Sequence, residues 1–351
     1  MKSKIVVVGL GRSGIGAAKL LHYEGQEVII LESDENPRFK SQAESLRNKG
    51  IEVEIGKPLE LLSFQPWLDQ IKSVVISPGI PWDHETLNEL RKLGVEVKGE
   101  ISIAWERLKH FPWIGITGTN GKTTVTHMLR HVLELNQLNA PMGGNVGIAA
   151  AEMALKYRKE TELPDWLIME LSSYQLETAP EISPTIGIWT NLTPDHLERH
   201  KTLETYSNIK RRLLENSETC IYNADDKFLI QHRSNMKHGI WISTKRVCSS
   251  KYQEDFWISE TGMIIEKGKE LFDSSVLQIP GNHNKQNLLL VTAAARQIGL
   301  SGTSIHQSLK SFRGVPHRLE KLGHLNGMKI FNDSKATNYE SGAMGISSVP
   351  S

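Results

Sequence analysis

A glycine-rich segment between an apolar run and an amphipathic pattern constrains the fold of this chain more than any other feature. Gly118–Thr124 (GTNGKTT) follows Trp113–Thr117, which has the composition of a buried strand. It precedes apolar residues at helical spacing: Val125, Met128, Leu129, Val132 and Leu133. Strand, glycine turn and helix in this order build a phosphate loop, whose backbone N–H groups surround phosphates. The general pattern has glycine where this chain has Ile116, so the segment is a shorter variant that predicts an ATP or GTP site.

A second glycine turn opens the chain. Gly9–Gly14 (GLGRSG) lies between the β-branched run Ile5–Val8 and a predicted helix over Ile15–Tyr23. Glu32 ends the next predicted strand, Val28–Leu31, where an acid often binds a ribose hydroxyl. The pattern favours binding of a nucleotide or a diphosphate. The alternative is a turn that only packs helix on strand.

Charge and cysteine content exclude several classes of protein. The 351 residues include 41 Lys and Arg against 40 Asp and Glu, so neither nucleic acid nor an anionic membrane is an expected partner. Cys220 and Cys248 are the only cysteines, too few for a disulfide framework or a four-cysteine zinc site. The apolar run at Ile5–Val8 is too short for a signal peptide. We therefore expect a cytoplasmic protein.

Further strand and helix patterns indicate an α/β fold with parallel sheets. The additional predicted strands are Ser73–Ser77, Val95–Val97, Trp166–Met169, Thr185–Trp189, Glu218–Asn223 and Met328–Asn332, with β-like pieces at 241–242 and 263–265 and a helix within Gly281–Leu300. We predict a Rossmann-like domain at 1–98, a central ATP-binding domain at 99–313, and the beginning of a third Rossmann-like domain at 314–351, cut short.

Acids and histidines follow two predicted strands after the phosphate loop. Glu170 is placed either to hold Mg²⁺ or to begin a helix, and the residues alone do not decide between them. His196 and His200 are four residues apart, but Leu197 stands where a zinc protease has glutamate, so we reject that class. A metal or substrate role for His196 competes with that of a hydrogen-bonded loop residue.

Five later polar residues are weaker candidates. Lys210 lies in a basic stretch that is typical of a solvated helix face. Asn284 or Asn287 either caps a helix or faces an adenine. Arg318 and Asp333 flank a predicted domain junction, with charges that suit a phosphate and a ribose.

Together these segments resemble the Mur ligases, ATP-dependent amide ligases of peptidoglycan synthesis. The resemblance covers nearly the whole chain and rests on the motifs GLGRSG, SPGI (77–80), TGTNGKTT, GGNVG (143–147), ELSSYQLE and FNDSKATN. It implies a monomeric ligase that adds D-glutamate to UDP-N-acetylmuramoyl-L-alanine, using ATP and two Mg²⁺ ions, through an acyl phosphate. Arg12, at a position that is often apolar, and the pair Ser33-Asp34 depart from the family pattern.

The resemblance also implies roles for individual residues. It assigns the ATP site to Gly118, Thr119, Asn120, Gly121, Lys122, Thr123, Thr124, Asn287, Arg318 and Asp333. It assigns Mg²⁺ to Thr123, Glu170 and His196, and the UDP-sugar to Ser13, Glu32, Gly79 and Asn145. Lys122, Glu170, His196 and Lys210 would be the catalytic residues, with Lys210 carbamylated.

Three other classes of protein explain fewer motifs. An NAD-dependent dehydrogenase would use GLGRSG and Glu32 but leaves the phosphate loop without a role. A phosphate-loop switch or transport ATPase leaves GLGRSG unexplained. A folylpolyglutamate-type ligase shares the central motif but not the N-terminal turn.

Overall fold

A computed structural model describes residues 3–246, 253–325 and 328–348. The strands, in chain order, are β1 Lys4–Val8, β2 Glu27–Glu32, β3 Glu52–Ile55, β4 Ile71–Ile76, β5 Glu96–Gly99, β6 Trp113–Thr117, β7 Met142–Gly144, β8 Leu167–Glu170, β9 Ile186–Trp189, β10 Thr219–Asn223, β11 Ile240–Ser243, β12 Phe256–Ile258, β13 Met263–Glu266, β14 Lys269–Asp273, β15 Glu320–Leu325 and β16 Met328–Asn332.

The α-helices, in chain order, are α1 Arg12–Tyr23, α2 Pro37–Arg47, α3 Leu61–Phe64, α4 Glu85–Lys92, α5 Glu100–Leu108, α6 Lys122–Leu135, α7 Ala150–Tyr157, α8 Ser173–Glu177, α9 Leu197–His200, α10 Leu203–Asn216, α11 Lys227–Gln231, α12 Asn282–Ile298, α13 Gly302–Leu309 and α14 Tyr339–Ser348. Short 3₁₀ helices are Gln65–Gln70, Arg233–Asn235 and Ser274–Val276. No helix among the described residues is both long and apolar enough to span a bilayer.

The first of two compact units combines three stretches of the chain: Met1–Phe111, Gly143–Leu163 and Ser172–Ile182. Its sheet has the strand order β3-β2-β1-β4-β5, and all four pairings are parallel. Buried β-branched residues fill the central strand, as a parallel sheet covered on both faces requires. The predicted parallel sheet is confirmed in this unit.

The second unit comprises Pro112–Met142, Pro164–Leu171 and Ser183–Ser351. The larger sheet has the order β14-β13-β12-β11-β10-β9-β6-β8-β7. Strand β6 pairs in parallel with both β8 and β9, so the carboxyl ends of these three strands meet at one edge. Helices α6 and α12 pack together, and their buried faces belong to the apolar core of this unit.

The end of the described chain forms a hairpin and a helix. The predicted strand at Met328–Asn332 is confirmed, and it pairs in antiparallel register with β15, which the sequence patterns did not indicate. Helix α14 follows. The predicted domain boundaries at 98 and 313 stay predictions.

Candidate active site

The phosphate loop adopts a backbone that only glycine accommodates easily at two positions. Gly118 has φ +145°, and a Cβ there would lie 1.9 Å from the Thr190 hydroxyl oxygen. Gly121 has φ +82°, and a Cβ there would lie 2.7 Å from Oδ1 of Asn287. Helix α6 begins directly after it, so its first amides point into the loop. This is the strand, turn and helix order of an anion-binding N-terminus.

Asn191, which sequence analysis did not single out, fixes the phosphate loop through three hydrogen bonds. Its Oδ1 accepts from the Asn120 amide at 2.8 Å, and its Nδ2 donates to the Asn120 carbonyl at 3.1 Å. Its own carbonyl accepts from the Thr119 amide at 3.1 Å. The only signal in the sequence was its place at the carboxyl end of the strand before Pro194-Asp195-His196.

Lys122 is half-buried among charged side chains. Its Nζ donates to the carbonyls of Gly118 at 2.9 Å and Thr119 at 2.7 Å. Burial lowers the pKa of Lys122, while the negative charges of Glu170 and Asp195 act in the opposite direction. The amine is therefore held inside the turn that sequence analysis assigned to phosphates.

Glu170 is the last residue of β8, and Thr123 lies in the first turn of α6, which follows β6. Glu170 ends β8 opposite Ile116 in register and is 1% exposed. The Thr123 hydroxyl, in the first turn of α6, accepts from Nη2 of Arg318 at 3.0 Å. Carboxylate and hydroxyl oxygens are ligands that suit Mg²⁺. In the part of the chain that the structure describes, no group of three His, Cys, Asp or Glu residues forms a metal cluster.

His196 lies on the loop that follows β9 and has a left-handed backbone. Its φ is +54°, and its side chain is 44% exposed. The ring lies 3.8 Å from the Asp195 carboxylate and 3.7 Å from that of Glu198. By contrast His200, its partner in the rejected zinc pattern, is buried and stacks on Tyr206.

Lys210 is buried, which is not the solvated position that its sequence context favoured. Its Nζ donates to the Gly118 carbonyl at 2.9 Å and lies 4.5 Å from the centre of the Tyr206 ring. Burial lowers the pKa of Lys210 well below its usual range, and the nearby charge of Lys122 adds to that effect. The interpretation of Lys210 as a surface residue is therefore wrong, because its helix packs this face against β6.

A cavity in the second unit brings together most of the residues assigned to ATP. Its lining includes Asn120, Gly121, Thr124, Asn287, Arg318 and Asp333. Arg318 lies between two residues with positive φ, His317 at +64° and Leu319 at +45°. The Leu319 amide donates to Oδ1 of Asp333 at 3.1 Å, which ties the Arg318 segment to the end of β16.

The first glycine turn is closed by the segment SPGI. Gly9 has φ +101°, and a Cβ there would lie 2.6 Å from the Ser77 hydroxyl oxygen. A Cβ on Gly14 would lie 1.9 Å from the Gly9 carbonyl oxygen. Both glycines therefore serve close packing within the turn. The predicted substrate residues Ser13 and Gly79 belong to these two adjoining segments.

The Glu32 carboxylate lies against the same turn. Oε2 accepts from the Leu10 amide at 2.7 Å, and Oε1 accepts from the Asp34 amide at 3.0 Å. Glu32 therefore makes hydrogen bonds within its own unit, at the position where sequence analysis expected a ligand contact.

Arg12 joins the GLGRSG turn to the GGNVG segment. Its Nη1 donates to the Gly147 carbonyl at 3.2 Å. Close packing accompanies this bond, since a Cβ on Gly16 would lie 3.2 Å from the Glu152 amide nitrogen. The structure thus brings the Asn145 segment beside α1, and the unusual arginine is one of the contacts that hold it there.

Comparison with known proteins shows the family of the chain. Residues 3–99 match the family model described as Mur ligase MurD-like, N-terminal domain, and residues 116–295 match that of the Mur ligase middle domain. The chain is 59% identical over 349 residues to the UDP-N-acetylmuramoylalanine–D-glutamate ligase of Prochlorococcus marinus, covering 99% of this chain and 76% of that protein. It is 56% identical over 346 residues to the ligase of the same name from a Synechococcus species, covering 98% and 75%.

Solved structures share the fold at low sequence identity. The UDP-N-acetylmuramate-alanine ligase of Thermotoga maritima is 22% identical, with a TM-score of 0.60 over 98% of this chain and 77% of that one. A pseudomurein peptide ligase type C from Methanothermus fervidus is 20% identical, with a TM-score of 0.58 over 99% and 77%. These two likenesses concern the fold alone, whereas the family models and close relatives identify the lineage. The chain belongs to the Mur ligase family.

Proposed function

We propose that this chain is an ATP-dependent ligase that adds D-glutamate to UDP-N-acetylmuramoyl-L-alanine in peptidoglycan precursor synthesis. The observation that carries the proposal is the phosphate loop, which holds the Lys122 amine and adjoins the cavity lined by Arg318, in a chain 59% identical to a ligase of that name. The reaction would take place in the cytoplasm, with the chain acting as a monomer.

The ATP phosphates would lie on the loop Gly118–Thr124. Lys122 and Arg318 supply positive charge there, and phosphoryl transfer depends on positioning and on neutralising such charge. Asn287 beside Gly121 and Asp333 beyond Arg318 line the same cavity, which suits them for the nucleoside end of ATP.

The residues assigned to Mg²⁺ fit that ion in part. Glu170 and Thr123 provide hard oxygen donors at the ends of β8 and α6, as magnesium requires. His196, whose side chain is half-exposed on the loop after β9, would hold a second ion. We therefore propose two Mg²⁺ ions. Bound magnesium would neutralise phosphate charge and polarise the phosphoryl oxygens.

Lys210 would be carbamylated, as the resemblance implies. Its buried amine with a lowered pKa is uncharged over a wider pH range than an ordinary lysine, which is the form that can attack CO₂. The nitrogen lone pair would form a bond to the CO₂ carbon and the amine would lose one proton, giving a carboxylate in place of a cation.

The UDP-sugar would bind the first unit through Ser13, Glu32, Gly79 and Asn145. Three contacts support this assignment: Ser77 packs on Gly9, Arg12 holds the Asn145 segment, and Glu32 lies against the turn. Such fixed backbone segments suit recognition of a diphosphate and its sugar.

The chemistry is the activation of a carboxylate. An oxygen of the L-alanine carboxylate would attack the γ-phosphorus of ATP, breaking the bond to ADP and forming an acyl phosphate. The D-glutamate amine would then attack the acyl carbon, losing a proton, and phosphate would leave. Lys122 would hold the γ-phosphate oxygens during the first step.

Ligand-dependent thermal unfolding of the full chain tests the proposal against its rivals. UDP-N-acetylmuramoyl-L-alanine and Mg·ATP should each stabilise the chain, by about 2.7 kcal/mol at about 100 times the Kd. NAD should give no shift. Stabilisation by NAD alone would favour a dehydrogenase, and ATP hydrolysis unaffected by the UDP-sugar would favour a phosphate-loop ATPase.

A further inference from the structure

Helix α7 begins without a capping side chain of its own. It follows the GGNVG segment, and its N-cap residue is Ala149, which has no side-chain acceptor. The first amides of a helix need acceptors from outside the helix. This end of α7 can therefore use an acceptor from another part of the first unit.

Glu100 supplies that acceptor from a distant point in the sequence. Its Oε1 accepts from the Ala151 amide at 2.6 Å, and the residue is 1% exposed. Within the described part of the chain, its Oε2 is buried and has no hydrogen-bond partner. Burial raises the pKa of Glu100 to about 7, opposed by the bond from Ala151. Burying a carboxyl group costs free energy, and the hydrogen bond from the Ala151 amide offsets part of that cost.

The backbone that carries Glu100 is fixed on its other side. Gly99 ends β5 in register with Ile76, and a Cβ on Gly99 would lie 2.0 Å from the Thr178 hydroxyl oxygen. Thr178 in turn donates to the Gln175 carbonyl at 2.9 Å, at the end of α8. Glu100 therefore projects from a point that cannot shift without disturbing both β5 and α8.

The start of α7 is directly connected to the GGNVG segment. Gly144 and Ile148 are joined by a backbone hydrogen bond of 3.0 Å, which closes the loop around Asn145. Arg12 holds the same loop at Gly147. A displacement of the α7 N-terminus would therefore move this loop.

We propose that Glu100 is a positioning residue for the UDP-sugar, which caps α7 through the Ala151 amide and so fixes the loop that presents Asn145. This inference rests on the proposed function, because it takes Asn145 as a contact to that substrate. Glu100 itself is too deeply buried to touch a ligand.

Calorimetric titration of the full chain and its variants tests this role. Glu100→Ala removes the acceptor and should raise the Kd for UDP-N-acetylmuramoyl-L-alanine about tenfold, with the Kd for Mg·ATP within about twofold. Glu100→Gln keeps an oxygen in place of Oε1 and should restore most of the affinity. Ser301→Ala removes a cap from α13, whose Ser304 amide bonds Ser301 at 3.0 Å, and should leave both Kd values unchanged.

Two results would overturn the inference. One is a folded Glu100→Ala variant that binds the UDP-sugar as the wild type does, and the other is an equal loss of affinity for both ligands. If wild-type protein does not bind the UDP-sugar at all, the proposed function itself fails.

If Glu100→Ala does not fold, amide hydrogen exchange of the wild-type chain provides a second test. Binding of UDP-N-acetylmuramoyl-L-alanine should slow exchange of the Ala151 amide, because the loop and the cap are connected. Unchanged exchange at Ala151 in the saturated complex would contradict the inference.

Discussion

The two glycine turns share one backbone pattern, but the side chains that support them make hydrogen bonds of opposite direction. In the first turn, the Glu32 carboxylate accepts from the Leu10 amide at 2.7 Å. In the phosphate loop, the buried amine of Lys210 donates to the Gly118 carbonyl at 2.9 Å. The first turn is thus held by an acid that occupies a backbone donor, and the second by a buried amine that occupies a backbone acceptor.

This difference teaches how one motif serves two ligands. In the phosphate loop Asn191 accepts from the Thr119 and Asn120 amides, whereas the first amides of α6 stay directed at an anion. Lys122 adds charge beside them. Engaging an amide with a carboxylate makes the first turn less suited to concentrated negative charge. The comparison supports ATP, with its triphosphate, at the second turn and a sugar-bearing ligand with fewer phosphate charges at the first.

The largest effect should come from removing the lysine cation of the phosphate loop. Lys122→Ala should lower the rate of D-glutamate-dependent phosphate release about a thousandfold, because the γ-phosphate loses the cation beside it. The exposed Lys227→Ala is the matched control and should keep the wild-type rate. A loss of less than about tenfold in Lys122→Ala would refute the assigned role.

Glycine substitutions should separate tight positions from open ones. Gly118→Ala places a Cβ 1.9 Å from Thr190 at φ +145° and should cost about 3 kcal/mol of unfolding free energy. Gly11→Ala, in the first turn, meets nothing within 4 Å and should cost less than about 1 kcal/mol. Urea unfolding measures both, and equal costs would show that the backbone of the loop relaxes around the added methyl.

The buried amine should give the phosphate loop a pH-dependent stability. The folded state holds Lys210 with a lowered pKa, so the unfolded state binds more protons between that pKa and about 10.4. Wild-type stability should therefore rise with pH over this window relative to Lys210→Met, by at most about 1.4 kcal/mol per pH unit.

Chemical unfolding at neutral and mildly alkaline pH, in buffer depleted of CO₂, measures that difference. Lys227→Met on the surface is the control. A stability difference between wild type and Lys210→Met that does not change with pH would contradict a buried uncharged amine.

The smallest effect should come from neutralising the Glu32 carboxylate, which accepts hydrogen bonds from the first turn. Glu32→Gln turns one of the two acceptors for the Leu10 and Asp34 amides into a donor, leaving a buried donor poorly paired. We expect the Kd for UDP-N-acetylmuramoyl-L-alanine to rise about tenfold, with the Kd for Mg·ATP unchanged. Calorimetry on the same sample resolves both, and a matching loss of ATP affinity would show that the two turns do not act separately.

The sequence predicted those parts of the fold that depend on local pattern. Strands such as β1 and β6 and the helix α6 follow from apolar runs and helical spacing, and their positions are confirmed. Strand β3 and helix α2 were not predicted, because both are partly exposed and their apolar pattern is weak.

The supports of the site depend on contacts between distant residues and could not be predicted. Three of these hydrogen bonds join residues that are far apart in the sequence: Asn191 with Asn120, Arg12 with Gly147, and Glu100 with Ala151. No local pattern indicated that the stretches after β7 and β8 pack in the first unit. Lys210 was misjudged for the same reason, since only tertiary packing shows which side of α10 is buried.

Product analysis by mass spectrometry tests the central claim most directly. The chain is incubated with ATP, Mg²⁺, UDP-N-acetylmuramoyl-L-alanine and either D-glutamate or L-glutamate. The account predicts a product heavier by one glutamate residue with D-glutamate only, formed together with one ADP and one phosphate. ADP formation without that product, independent of the UDP-sugar, would contradict the account.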